Sequence, residues 1–177
     1  IAPDSIAYNA AISACARAGQ WERALQVLET MPSRDLTPDV ISFNAAINAC
    51  ARGECWEMAM HLLGSMRKEG VDPDTTTYNA AINACEKGCR GSETLRLLLD
   101  MWEEKVDLNT VTYNTAINAC RKGGLHEQAM ELVEEMQSAG ATMDVISYNA
   151  AIASCGSDWE RALDLMSEMQ DNKVTPD

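Results

Sequence analysis

The chain has 177 residues, 46% of them hydrophobic, and its 27 aspartates and glutamates against 14 lysines and arginines give a net charge of −13. No apolar run is long enough to span a bilayer, and the absence of any CxxC pair argues against a zinc site. The acidity, taken as a sum, disfavours a polyanionic partner, because phosphate attraction needs local positive charge.

In chain order, a short tail, Ile1–Asp4, is followed by five units of one design. The first, Ser5–Asp39, opens on IAYNAAISACAR (Ile6–Arg17). The second, Val40–Asp74, opens on ISFNAAINACAR (Ile41–Arg52), and the third, Thr75–Asn109, on TTYNAAINACEK (Thr76–Lys87). The fourth, Thr110–Asp144, opens on VTYNTAINACRK (Val111–Lys122), and the fifth, Val145–Asp177, on the shortened ISYNAAIASC (Ile146–Cys155). Asn9, Asn44, Asn79, Asn114 and Asn149 stand 35 residues apart throughout. A fixed period of this size predicts a solenoid, in which each unit buries its apolar faces against its neighbours. The chain opens on IAPD and closes on VTPD, the same phase of the period, as expected of a section of a longer array.

Within each unit the pattern predicts helix, short turn, helix, loop. In the second unit Phe43, Ile47 and Cys50 form the apolar stripe of a first helix from about Ile41 to Arg52. Gly53 marks its end. Trp56, Ala59, Leu63 and Met66 give the buried stripe of a second helix over about Trp56–Lys68. Gly70 stops it, and Pro73-Asp74 turns the chain onward. Ala24, Ala59, Ala129 and Ala162 recur where two helices approach closely, with Thr94 at that place in the third unit. Met31, Met66, Met101, Met136 and Met169 read as core filler. Trp21, Trp56 and Trp159 share one slot and the same core reading, with His126 there as a partly buried spacer. Cys15, Cys50, Cys85, Cys120 and Cys155 recur too far apart to pair or share a metal, and read as small buried hydrophobes. Cys55 and Cys89 fall in loops. His61 has no second histidine nearby.

The opposite face of each first helix is the unusual one. Ile41, Asn44, Asn48 and Arg52 fall on one side at helical spacing. The other units give Ile6, Asn9, Ser13, Arg17, then Thr76, Asn79, Asn83, Lys87, then Val111, Asn114, Asn118, Lys122. The fifth gives Ile146, Asn149 and Ala153, with Ser157 the nearest equivalent of the cation. Asparagine is a poor helix residue, since its amide competes for backbone hydrogen bonds. Two readings answer that cost. The amides act as glue, capping helices or bonding between neighbouring units. Alternatively they form a surface that reads a regular polymer, with the amides on base edges, the aliphatics on base faces and the cations on phosphates. Glu86 is the only acid in the five first-helix stretches, so the acidic surface is segregated from this stripe.

These residues resemble the pentatricopeptide repeat family. The resemblance rests on the period, the VTYNT opening at Val111–Thr115, the RKGG turn at Arg121–Gly124, the EQAMELVEEM helix at Glu127–Met136, and the PD pairs at Pro38-Asp39 and Pro73-Asp74. It implies an all-α solenoid, a right-handed superhelix of five helix-turn-helix repeats that binds single-stranded RNA at one base per repeat. It further implies that two residues per unit choose the base. Here these are Asn9 with Asp39, Asn44 with Asp74, Asn79 with Asn109, Asn114 with Asp144, and Asn149 with Asp177. Asparagine with aspartate favours uracil in the family, and asparagine with asparagine favours cytosine with uracil tolerated. The implied site is U-U-(C or U)-U-U, read 5′ to 3′ from the amino end. Ile6, Ile41, Thr76, Val111 and Ile146 match the residues that sandwich the bases, and Arg17, Arg52, Lys87 and Lys122 match the phosphate-contacting lysine. Leu108 and Met143 depart from the family's proline, which loosens the loops carrying Asn109 and Asp144. The resemblance implies RNA processing, stability or translation in a mitochondrion or chloroplast, with no cofactor and no catalysis. No nucleophile–base set, phosphate loop or paired carboxylates lie on the stripe. The alternative is a protein-binding scaffold of tetratricopeptide type, favoured by the net charge.

Overall fold

In the computed structural model the described residues are 4–156, 158–172 and 174. They form ten α-helices and no strand, and the fold is an all-α solenoid of helical hairpins. The helices are α1 (Ser5–Arg17), α2 (Trp21–Thr30), α3 (Val40–Arg52), α4 (Trp56–Lys68), α5 (Thr75–Lys87), α6 (Gly91–Glu103), α7 (Thr110–Lys122), α8 (His126–Ser138), α9 (Val145–Ser154) and α10 (Trp159–Asp171). A 3₁₀ turn at Pro32–Arg34 follows α2. That helix ends at Thr30 because Pro32 has no N–H with which to continue the ladder.

The chain divides into two compact units, Ile1–Gly88 and Cys89–Asp177. In the first, α3 is central and packs on α1, α2, α4 and α5. In the second, α7 packs on α6, α8 and α9, and α9 also on α8 and α10. Each contact is between elements near in sequence, the mark of a quasi-one-dimensional array.

The first helices start alike. The side chain of Asp39 accepts from the Ser42 backbone N–H, and the Ser42 hydroxyl accepts from the Asp39 N–H, a reciprocal capping box at the head of α3. Asp74 with Thr77, Asn109 with Thr112 and Asp144 with Ser147 repeat it at α5, α7 and α9. The loops carrying Asn109 and Asp144 are therefore closed like the others, contrary to the looseness expected from Leu108 and Met143. A single cap of this kind contributes on the order of 0.5–2 kcal/mol.

The core follows the predicted stripes. Phe43, Ile47, Cys50, Ala59, Leu63 and all five recurring methionines are buried. Ala46, Ala81, Ala116 and Ala151 are fully buried, so the small side chain lies where helices approach closely. Cys50, Cys85 and Cys120 are buried, but Cys15 and Cys155 are only half-buried. Burial pushes the Cys50 thiol up to about 12 and the Cys120 thiol up to about 11, so neither is an available nucleophile.

The tryptophan slot is not core. Trp21 and Trp56 are half-buried, Trp159 and His126 are exposed, and Gly91 takes the slot in α6. The slot lies at the seam with the following hairpin. A Cβ on Gly53 would stand 2.2 Å from Trp21 Cδ1, so the indole lies directly on the glycine that ends α3. Gly53 does mark the end of α3, as its C-cap residue, but not through a left-handed backbone. Its φ is −85°, and the left-handed residue is Glu54 at φ 58°. Gly70, at φ 75° after α4, is a true left-handed stop.

Candidate functional site

The second residue of each first helix is an aliphatic or threonine turned to solvent. Ile6, Ile41, Val111 and Ile146 are 74%, 63%, 59% and 58% exposed, and Thr76 is exposed at the same place. These side chains recur at one place in the period and contribute little to the core. Arg17, Arg52, Lys87 and Lys122 are the last residues of α1, α3, α5 and α7, all exposed. Each also suits the negative end of its helix dipole. Asn48 is exposed, and Ser13, Asn83 and Asn118 are half-buried.

Between these rows the asparagines are anchored rather than free. Asn9 Nδ2 donates to Asp39 Oδ1 at 3.2 Å, while the Ser42 hydroxyl donates to Asn9 Oδ1 at 2.6 Å. Asn44 repeats this with Asp74 and Thr77 at 3.2 and 2.6 Å, and Asn114 with Asp144 and Ser147 at 3.1 and 2.7 Å. The amide orientation is fixed chemically, since a carboxylate only accepts and must face the NH₂ end. The glue reading is thus correct as far as it goes, since each amide commits one N–H and one lone pair to the next hairpin. One N–H and one lone pair remain on each.

The same bonds join the residues paired in sequence. Asn9 meets Asp39, Asn44 meets Asp74, and Asn114 meets Asp144, each across 30 residues. Asn79 lies in the first compact unit and Asn109 in the second, where Asn109 caps α7. Asn149 is exposed on α9. Its partner Asp177, like Ser157, lies outside the described residues. The bonds that Asp39, Asp74 and Asp144 accept from the asparagine amides and from the Ser42, Thr77 and Ser147 N–H groups converge on Oδ1.

These bonds set the charge state. Partial burial pushes the Asp39 carboxyl up, but the Ser42 N–H and hydroxyl, the Asn9 amide and the Ile41 N–H together hold it below the ordinary aspartate value. Asp74 and Asp144 are depressed in the same way. All three are therefore ionised at neutral pH. The stability they contribute is present above the unfolded-state value and is lost as pH falls through the depressed one.

The residues missed by sequence reasoning are Ser42, Thr77, Thr112 and Ser147. All four are fully buried, and three of them donate to the asparagine of the preceding hairpin. The signal was present as an Asp/Asn-x-x-Ser/Thr spacing that recurs with the period. Replacing Asn44 by alanine removes both bridge bonds. The Thr77 hydroxyl can still turn to Asp74 Oδ1, 2.8 Å away, so no buried donor is stranded. The expected cost is about 0.5–1.5 kcal/mol by urea denaturation, whereas Asn48→Ala, on the exposed face, should stay within about 0.5 kcal/mol. Equal effects would mean that the bridge carries no stability.

Within the compact unit Cys89–Asp177 the stripe is locally concave. Asn118, Arg121, Ile146, Asn149, Ala150 and Ala153 line a shallow cavity of about 250 Å³ between α7 and α9. Arg121 Nη2 reaches Asn118 Oδ1 at 3.4 Å, and Arg121 Nε is buried without a partner among the described residues. No group of three or more metal-ligating side chains occurs among the described residues.

The model of the PPR repeat family matches this chain four times, at residues 3–52, 38–87, 73–122 and 108–157. Among solved structures, the pentatricopeptide repeat protein PPR10 from maize superposes with a TM-score of 0.73 at 28% identity, over 99% of this chain and 25% of that chain. PPR10 in complex with an 18-nt psaJ RNA element gives a TM-score of 0.77 at 24% identity, over 99% of this chain and 29% of that chain. The PPR domain of Arabidopsis thaliana protein-only RNase P 1 in complex with tRNA gives 0.80 at 11% identity, over 94% and 89%. The last two likenesses are of fold alone. The chain spans about a quarter of the length of the maize protein. No curated protein matches it.

Proposed function

The chain belongs to the pentatricopeptide repeat family, and from that premise we propose that it is a sequence-reading module for single-stranded RNA, one base per hairpin, and not an enzyme. The observation that carries this reading is the direct bond between the two paired residues, Asn9 with Asp39, Asn44 with Asp74 and Asn114 with Asp144. A pair held on one rigid bridge offers a base edge a fixed set of groups: a spare amide N–H, a spare lone pair and the carboxylate Oδ2. Uracil presents an N3–H donor to such a carboxylate, while cytosine presents a bare N3. Asparagine with aspartate thus suits uracil, and the Asn79–Asn109 combination suits cytosine. The preferred site is U-U-(C or U)-U-U, the last position resting on Asn149 and Asp177.

Ile6, Ile41, Thr76, Val111 and Ile146 pack on base faces in this reading, and Arg17, Arg52, Lys87 and Lys122 meet phosphates. The first-helix stretches hold no acid but Glu86, and the carboxylates that reach the stripe are the bridging ones of Asp39, Asp74 and Asp144, so a chain of net charge −13 can accept a polyanion along this face. The natural setting is organellar RNA processing, stability or translation, in a mitochondrion or chloroplast.

The test is a titration of an oligopyrimidine strand and of the same sequence annealed into duplex. The strand should bind and the duplex should not, because the amides reach base edges only when these are unpaired. Four cations neutralise about four phosphates, so the log–log salt slope should be no steeper than about −3, at roughly −0.7 per phosphate. Equal affinity for duplex, or an affinity indifferent to salt, overturns the proposal.

A further inference from the structure

The second helices carry a feature that neither hairpin packing nor the amide stripe uses. Leu99 and Trp102 on α6 are 60% and 76% exposed. Elsewhere along the period the place of Leu99 holds Glu29, Gly64, Glu134 and Ser167, and that of Trp102 holds Pro32, Arg67, Gln137 and Gln170. Two of those polar residues bind their own surroundings, Arg67 donating to the Tyr78 hydroxyl and Gln137 to Glu168. Only in α6 are both positions large and apolar, so the repeat architecture does not require them there.

Together with Leu95, Leu98, Leu108 and Leu132, these side chains line an open groove of about 530 Å³ between α6 and α8. Its far wall is Glu131 and Glu135, both exposed. The wider rim is acidic as well. Helix α8 carries Glu127, Glu131, Glu134 and Glu135 with no lysine or arginine, and α6 carries Glu93, Asp100 and Glu103 against Arg96 alone. Glu134 is engaged by Arg161 at 3.6 Å, and Glu135 accepts from the Tyr113 hydroxyl at 3.2 Å.

We propose that this groove docks a helical segment of a partner protein that presents large apolar side chains on one face, flanked by lysines or arginines. The apolar floor supplies the buried contact, with Trp102 as the type of residue that dominates such interfaces. The acidic wall supplies the charge preference and steers approach. An amphipathic helix laid into a groove is an established mode of recognition, read out at helical spacing. An RNA strand is the wrong occupant, because its phosphates would meet the glutamate wall. The groove is formed by second helices, so a docked helix and a strand on the amide stripe occupy different helices of the hairpins.

The test uses a fluorescently labelled amphipathic peptide of leucine and lysine, a counterpart of leucine and glutamate, and the double variant Leu99→Glu/Trp102→Gln. The variant installs the residues found at the same two places in α8, Glu134 and Gln137, at exposed positions, so the fold should persist by circular dichroism. The basic peptide should bind the wild type, and the variant should weaken it by about tenfold or more. Added negative charge at Leu99→Glu would strengthen non-specific attraction of a basic peptide, so a loss cannot come from charge alone. The acidic peptide should not bind, and affinity for the oligopyrimidine should be unchanged in the variant. The proposal is overturned if the variant binds the basic peptide like the wild type, or if both peptides bind equally. It is also overturned if the wild type sediments as a dimer and the variant as a monomer, which would make a second copy the occupant.

Discussion

Replacing Gly123 by alanine should destabilise the protein by ~1–3 kcal/mol, the usual cost of forcing extra atoms into a packed seam. At roughly 2–4 °C per kcal/mol for a chain of this size, the loss is visible as a lowered Tm. Gly123 ends α7 at φ −79°, a conformation any residue adopts, so backbone strain is not the reason. Space is the reason. A Cβ there would stand 2.9 Å from the Gly91 backbone nitrogen, 3.1 Å from its Cα and 3.2 Å from the Ala119 carbonyl oxygen. All three are backbone atoms and cannot rotate away. Gly91 itself sits where other hairpins carry tryptophan or histidine, so this seam is closed glycine on glycine. Gly64, inside α4, is the control. Nothing lies within 4 Å of a Cβ built on it, and Gly64→Ala should stabilise by about 0.5–1 kcal/mol through helix propensity. A Gly123→Ala protein as stable as the wild type would remove the close-contact account of the seam.

The period and helix placement were legible because they are local. The predicted second helix over Trp56–Lys68 coincides with α4, and the predicted first helix starts one residue late, since the capping box places Val40 inside α3. The methionine row is buried throughout because its spacing follows one face of each second helix. What failed was anything decided between hairpins. Trp21, Trp56 and Trp159 read as core from their hydrophobicity, yet their burial depends on the next hairpin, and Trp159 on α10 is 66% exposed. Gly53 was placed correctly at the end of α3, but the indole of Trp21 lying against it was not legible. The asparagine row was legible as a row, but not as a bridge. The partner of Asn44 is 30 residues away, and only the stacking of α3 against α5 brings Asp74 and Thr77 to it. The glue reading accounts for one N–H and one lone pair of Asn9, Asn44 and Asn114, and the reading surface proposed above rests on the other half of each amide.

The central claim, that each asparagine–carboxylate bridge selects a base, is tested most directly by Asp74→Asn. The exchange is structurally mild because α7 already uses an asparagine at this place. Asn109 Oδ1 accepts from the Thr112 N–H at 2.9 Å, as Asp74 Oδ1 accepts from the Thr77 N–H at 2.8 Å. Aspartate and asparagine are near-equal N-caps, so the helix should keep its start. What changes is the second polar atom of the side chain, from the Oδ2 acceptor to an Nδ2 donor. The measurement is a titration of wild type and variant against strands with UUCUU and UCCUU cores in one flank, with Arg52→Ala as a phosphate control. The wild type should prefer UUCUU by the cost of leaving a polar pair unmade, on the order of 1–3 kcal/mol, or roughly 5- to 150-fold. Asp74→Asn should reverse or abolish that preference, while Arg52→Ala should weaken both strands alike, since a phosphate contact carries no base information. An unchanged ratio of the two affinities in Asp74→Asn would contradict the account, even if the protein still bound RNA.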